Sequence, residues 1–422
     1  MSAKKLGDFI TLQRGTTYKS QLLGQSGAVL IGLASIHREG GFRDDKLETY
    51  GGECPEKISL RAGDLYVSLK DITHDGHLLG AVSRIPEKIK LGRLTQDTVK
   101  LVFLKNEFPR NYIYWLLRTP QCRNYCRSFQ TGTTNLGLAR EDFLSFPVPP
   151  LTDFASSIVG CLEAIEKKIE NLRRQNETLE AIAQTLFKHW FIDFEFPNAD
   201  GKPYKSSGGA MVRSELGEIP EGWRVGKLKD ISDITSSKRI FSAEYVEAGI
   251  PFYRSKEIIE LHARQNVTTE LYISFDKFNE IKSKFEVPKT EEILLTSVGT
   301  IGIPYLVRKN DEFYFKDGNL TWIKNFRNGF SGIVIYYWLK SDSTQNKIKQ
   351  NTIGSTQKAL TIQALGNISI FIPDLKMLSE YTKFIEILNS KIENNIYQIQ
   401  TLTKTRDTLL PKLMSGQIRV KE

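Results

Sequence analysis

Two pairs of side chains stand at spacings that suit metal ligation: Cys122 with Cys126, four residues apart, and His74 with His77, three apart. A structural zinc site needs four such donors on one ion. The four cysteines (Cys54, Cys122, Cys126 and Cys161) have neither the paired CxxC spacing of a zinc site nor the density of a disulfide framework. Positions 223 residues beyond the two cysteines hold Gln345 and Lys349. Reduced thiols are expected, with no metal.

Other reactive constellations are missing as well. No GxxxxGK[ST] loop is present to cradle nucleotide phosphates. The one Pro-Pro pair, in VPPL (148–151), lacks the Asn or Asp that an adenine methyltransferase places before it. The one Pro-Asp pair, Pro373–Asp374, has no Glu-x-Lys after it to complete a nuclease cation site. Glu166-Lys167-Lys168 has the Glu-x-Lys spacing, but it falls on a helical pattern and reads as a solvated face. No catalytic residues and no cofactor of its own are expected for this chain.

The elements that remain must therefore position binding groups. With 422 residues the chain exceeds the size of a single core. Its 58 Lys and Arg against 49 Asp and Glu leave a formal charge of +9, which favours a polyanionic partner such as nucleic acid. The longest apolar clusters, YIYWLL and IVIYYWL, are far too short for a membrane span, so no membrane partner and a cytoplasmic location are expected.

The chain is written twice. Lys168-Ile169-Glu170-Asn171 returns as Lys391-Ile392-Glu393-Asn394 at a period of 223 residues, and Trp115 and Trp338 keep the same offset inside aromatic helices. Each half runs from a strand-rich opening through the aromatic helix, a hydroxyl-rich loop (TGTTNLGL, IGSTQKAL) and a strand ending at proline, into a long helix. Five segments follow: a globular domain at 1–150, a long helix at 151–196, a Gly-, Ser- and Pro-rich linker at 197–222, a second domain at 223–374 and a second long helix at 375–422.

The long helices carry heptads. In the first, positions a are Ile158, Ile165, Leu172, Leu179 and Leu186, and positions d are Leu162, Ile169, Asn176, Ala183 and Trp190. The second has Tyr381, Leu388, Asn395, Leu402 and Leu409 at a, with Ile385, Ile392, Ile399, Arg406 and Leu413 at d. One polar residue in such a seam fixes register at a cost in stability. Asn176 and Asn395 occupy different heights of the repeat, so the register stays open. A helix of roughly 40 residues spans about 60 Å. The fold class is α/β (α+β), with two globular domains in tandem separated by two long helices that pair as an antiparallel coiled coil.

The central TLFKHWFIDFEFP, LGEIPEGW, EEILLTSVGTIG, GSTQKALT and the terminal LLPKLMSGQIRV, in this order and with this period, resemble the specificity subunit (HsdS family) of type I restriction-modification systems across essentially the whole chain. The resemblance implies two target recognition domains, each reading half of a gapped sequence in double-stranded DNA. It also implies partners that carry the chemistry: two modification (methyltransferase) subunits using S-adenosylmethionine, and two restriction (motor-nuclease) subunits using ATP and Mg.

Hydroxyls, backbone N–H groups and cations suit phosphates, while long side chains reach base edges. On that ground the DNA-binding candidates are Arg14, Thr16, Tyr18, Lys19, Lys70, Thr133 and Thr134 in the first domain. In the second they are Lys238, Arg239, Arg254, Lys256, Ser297, Thr300, Ser355, Thr356, Gln357 and Lys358. Any one of them serves equally well as a capping or solvated residue. The aromatic run Phe187, Trp190, Phe191, Phe194 and Phe196 reads either as a local core or as a docking patch for a partner. Two alternatives remain: the same subunit in a methylation-only complex, and a structural coiled-coil protein whose basic charge is incidental.

Overall fold

The computed structural model describes residues 4–418 apart from 39, 45–46, 73–75, 106, 134, 152, 265–266, 268 and 355–356. His74, Thr134, Ser355 and Thr356 lie outside the described residues. By contacts the chain divides into two compact units, residues 1–170 with 399–422 and residues 171–398.

The first unit is built on a four-stranded antiparallel sheet in the order Ile10–Arg14, Thr98–Phe103, Leu65–Ser68, Val82–Arg84. A second sheet runs Thr49–Tyr50, Leu23–Ile31, Gly92–Leu94, Ser59–Leu60, with Leu23–Ile31 and Gly92–Leu94 parallel. The second unit repeats the first order with Asp233–Thr235, Leu320–Lys324, Ile293–Thr296 and Pro304–Leu306. Beside it Ile250–Tyr253 and Tyr314–Phe315 form the corresponding parallel pair. The inner strands LYVS (65–68) and ILLT (293–296) are buried at every residue, as a strand covered on both faces must be.

Each sheet packs on an aromatic helix, Arg110–Leu117 or Gly332–Lys340, with Trp115 and Trp338 buried in their cores. A second helix follows at once. Pro120–Ser128 starts on Thr119, whose hydroxyl accepts the Cys122 N–H at 3.3 Å, and Asp342–Gln350 starts on Ser341, which accepts that of Thr344 at 3.4 Å. Cys122 and Cys126 on this helix are fully buried in the apolar core, and a Cβ on Gly80 would fall 2.3 Å from the Cys126 sulfur. Close packing explains their spacing. Among the described residues no group of three or more His, Cys, Asp or Glu is placed to hold a metal ion.

The long helices span Ala155–Phe191 and Leu375–Met414. All five d positions of the first are buried, and Tyr381, Ile385, Ile392, Asn395, Arg406 and Leu413 are buried on the second. In the first unit Arg406 Nη1 donates to Glu166 Oε2 at 2.6 Å, while Leu410 and Leu413 share a core with Ile158 and Leu162. In the second unit Asn395 Nδ2 donates to Asn176 Oδ1 at 2.9 Å, and Tyr381 packs on Trp190 and Phe191 with ring centroids 5.5 and 4.7 Å away. In both units, residue numbers rise along one helix as they fall along the other. The helices run antiparallel, which brings the two asparagines opposite each other although they differ in height within the repeat.

Residues 197–222, expected as a linker, are ordered. Met211–Ser214 and Gly217–Pro220 form a hairpin, and Asn198 Oδ1 accepts the N–H groups of Asp200 and Lys202, each at 3.0 Å. Phe196 stacks between Tyr204 and Trp223 at 4.6 and 5.4 Å. The flanking aromatics hold this polar segment in place. Among the described residues no helix is long and apolar enough to cross a membrane.

Asn176 Nδ2 and Asn395 Oδ1 are buried without a partner, and a lone unsatisfied polar group costs about 1–3 kcal/mol. Asn395→Leu alone should therefore lower stability by roughly that amount, whereas Asn176→Leu with Asn395→Leu should restore or exceed the parent's denaturation midpoint, because no amide is then left unpaired. His262 donates its Nδ1–H to the Pro304 carbonyl at 2.6 Å, and burial, with Lys340 and Arg264 nearby, lowers its pKa from 6.5 to about 4 despite Glu180. Between these values the unfolded chain binds a proton that the native imidazole refuses. Stability should thus decline as pH falls from 6.5 toward 4, by on the order of 1 kcal/mol per pH unit, and His262→Gln should flatten that decline in urea midpoints compared at pH 7 and 4.5.

Candidate nucleic-acid interface

In the first unit, Arg14 closes its strand opposite Val99, and Ser68 closes another opposite Thr98. The segments 15–19, 69–72 and 95–97 therefore leave the same edge of the sheet. Arg14 Nε donates to the Gln96 carbonyl at 3.0 Å, and Lys70 Nζ pairs with Asp97 at 3.0 Å. Lys70 also pairs along the backbone with Gly137, which draws in the 131–137 loop bearing Thr133. Arg14, Thr16, Tyr18, Lys19, Lys70 and Thr133 are all exposed.

Segment 15–19 is held from below. Gly15 lies so close to the next segment that a Cβ would sit 2.1 Å from the Thr95 carbonyl oxygen. Arg93, only 5% exposed, donates from Nη2 to Thr16 Oγ1 and the Thr17 carbonyl, both at 3.0 Å, and from Nε to the Glu53 carbonyl at 2.9 Å. Its guanidinium lies 4.9 Å from the Tyr50 ring centroid, and the Tyr50 hydroxyl accepts the Lys19 N–H at 3.4 Å. These oxygens are carbonyls and hydroxyls, so the buried positive charge is left facing the exposed loop.

The second unit gathers the same segments. Arg239 Nε pairs with Asp317 at 2.8 Å, and the Lys238 N–H donates to the Tyr314 hydroxyl at 2.7 Å. Burial pushes that phenol up to about 12, which keeps it neutral and able to donate as well as accept. The 353–360 loop docks through Gly299 N–H to the Lys358 carbonyl at 3.2 Å, setting Thr300, Gln357 and Lys358 side by side on the exposed surface. Ser255 Oγ reaches the Asn319 carbonyl at 3.3 Å, which seats the helix Ser255–His262 with Lys256 exposed and Arg254 half-buried.

Several expectations need correction. Ser297 is 3% exposed, and its hydroxyl is shared with Thr321 Oγ1 at 2.5 Å and the Leu295 carbonyl at 3.2 Å, so it braces the strand end and does not face outward. Arg254 is bound to the buried Glu257 at 2.8 Å. Phe187, Trp190, Phe191, Phe194 and Phe196 are at most 7% exposed and form one core with Trp223, Phe371 and Tyr381. They are interior residues, with little side chain left for a partner. The tethers Arg93, Tyr50 and Tyr314 escaped the sequence reading; Arg93 in KLGRLTQD and Tyr314 in DEFYFKDG sit in ordinary strand sequence, and only the acidic residues that follow them, Asp97 and Asp317, echo one another.

Comparison with known proteins fits this twofold plan. The Type I restriction enzyme MjaIX specificity subunit of Methanocaldococcus jannaschii is 30% identical over 337 residues, spanning 78% of this chain and 73% of that protein. The chain belongs to the type I restriction enzyme specificity subunits. The family described as Type I restriction modification DNA specificity domain matches residues 220–401 of this specificity subunit. The MjaVIII specificity subunit of the same organism is 23% identical over 344 residues, 79% of this chain and 76% of that one. A crystal structure of the Type-I restriction-modification system S subunit from M. genitalium has the same fold, with a TM-score of 0.54 at 15% identity over 98% of this chain and 95% of that one.

The bracing role of Ser297 is testable. Ser297→Ala leaves the buried Thr321 hydroxyl short of a partner and should cost about 1 kcal/mol in a denaturant melt; an exposed serine would cost nothing measurable.

Proposed function

We propose that this specificity subunit reads a bipartite, gapped sequence in double-stranded DNA, one half with each unit, and holds the subunits that act on it. The observation that carries this reading is the duplicated site. Two sheets of one strand order each gather a post-strand loop, a Lys- or Thr-bearing turn and a hydroxyl-rich loop at one edge, with different side chains in the two copies. Equal scaffolds with unequal loops suit two unlike half-sites.

Lys19, Lys238, Lys256 and Lys358 project from these edges and suit phosphate contact, which sets affinity and orientation, while the loop tips suit base edges in the major groove. The chain itself is non-catalytic. In this reading it works in the cytoplasm with two modification subunits, which bring S-adenosylmethionine, and two restriction subunits, which bring ATP and Mg. Phe384 and Ile387, exposed on the second long helix at 57% and 69%, suit a helical partner better than the buried aromatic core does.

The test is the methylome of cells carrying this chain with its modification subunit. A motif of two short halves around a fixed gap is expected, and exchanging residues 1–150 for another recognition module should change one half and leave the other intact. Change in both halves would sink the modular assignment. Lys358→Ala should weaken binding uniformly across sequences and lower the slope of log K against log salt by about 1.

A further inference from the structure

We propose that Arg93 and Tyr314 are positioning residues for target reading: each holds the loop after the first strand of its unit's central sheet, 15–19 or 236–240, in the shape that meets DNA. The inference rests on the reading above and specifies what keeps its loops in order. Neither side chain is itself presented to a ligand. Arg93 is 5% and Tyr314 1% exposed.

The two tethers come from corresponding places. Gly92–Leu94 pairs in parallel with Leu23–Ile31, and Tyr314–Phe315 pairs in parallel with Ile250–Tyr253, the former inside its four-stranded sheet and the latter at the edge of its own. From there Arg93 reaches up with a fork of donors to the Thr16 hydroxyl and the Thr16 and Thr17 carbonyls. Tyr314 instead offers one hydroxyl oxygen to the Lys238 N–H at 2.7 Å. The chemistry differs, donor in one unit and acceptor in the other, while the restraint is the same. Identical residues would be explained by shared descent alone; unlike residues performing one tethering task point to the tether itself as what is kept.

The loops need such support because they leave the sheet before they reach solvent. Beyond Arg14 and Thr235 the paired strands end, with only the Gly15 N–H to the Thr98 carbonyl at 3.3 Å and the Thr16–Thr95 bridge continuing the pairing in the first unit, and a loosely held loop samples many backbone states whose entropy must be lost on binding. Above each tether lie the exposed groups: Tyr18 and Lys19 in one unit, Lys238 and Arg239 in the other. Fixing the backbone beneath them holds these side chains in a pattern that can distinguish bases.

Tyr314→Phe is the cleanest probe, since it removes one oxygen and leaves the ring packed. In the full specificity subunit assembled with its modification subunits, hydrogen exchange at the Lys238 amide should accelerate at least tenfold. The half-site assigned to the second unit should become degenerate in the methylome, the other half should stay intact, non-specific DNA affinity should be unchanged, and Tm should drop by no more than the loss of one hydrogen bond brings. Arg93→Lys, which keeps the charge but loses the fork, should relax only the opposite half. Folded variants that keep both halves of the motif unaltered would overturn the inference, as would equal loss of both halves together with a lower Tm, the result expected of a purely structural role. A parent complex that yields no bipartite motif at all would instead overturn the reading on which the inference rests. The Lys238 exchange rate would still report whether the hydroxyl restrains its loop.

Discussion

Carboxylates on the long helices, accepting hydrogen bonds from the globular part of each unit, are the interaction on which the remaining arrangement depends. In the first unit Glu163 takes a bidentate pair from Arg84 at 2.8 and 2.9 Å and the Trp115 indole N–H at 2.8 Å. In the second, Glu180 takes Lys340 at 2.5 Å and Arg264 at 2.8 Å, and Glu393 faces Arg308 at 3.3 Å. Burial alone would push the Glu180 carboxyl up, but the two cations outweigh it and hold the group below its usual range. At Glu393 burial wins over Arg308 and the carboxyl rises. Burying such charges is favourable only when pairing is close, and removing one partner costs several kcal/mol. The pairs thus fix where each sheet sits on its helix more than they add net stability, and every loop at the sheet edge inherits that placement.

The sequence disclosed the parts governed by periodicity. The heptads from Ile158 to Trp190 and from Tyr381 to Leu413 fall inside the helices Ala155–Phe191 and Leu375–Met414, because an apolar seam must repeat at three and four, and the 223-residue period predicted one topology used twice. The pairing of Asn176 with Asn395 was not legible. A repeat compares positions in translation, whereas antiparallel helices compare them in opposition, so residues at unequal heights of the repeat come face to face.

The site was legible in outline and obscure in detail, for a physical reason. Exposed Lys, Thr and Gly in a loop advertise themselves by composition, and Lys19, Lys238 and Lys358 do lie on the exposed edge. Burial is set by contacts far away along the chain. Ser297 resembles its neighbour Thr300 as a loop hydroxyl, yet Thr321 from the adjoining strand captures it. The Phe187–Phe196 aromatics read equally well as patch or core until Trp223, Phe371 and Tyr381 close over them. Arg93 gave no signal because its acceptors, Glu53 and Thr16, are 40 and 77 residues away.

On the proposed reading, this division between periodic frame and non-local detail lets one architecture serve two unlike targets. Apart from Asn176 Nδ2 and Asn395 Oδ1, the frame is largely satisfied internally: buried strands, paired helices and helix starts consume their own hydrogen bonds and leave little for a ligand. The loops are the converse. Their inner faces are tied by Arg93 and Tyr50 or by Tyr314, and their outer groups stay exposed, Lys70 and Arg239 in surface pairs with Asp97 and Asp317. On that reading, substitutions on the outer face would change what is bound without disturbing the fold, while substitutions beneath it would change how sharply it is bound. A reader of DNA gains from keeping those two tasks on different residues, since new specificity then requires no new core.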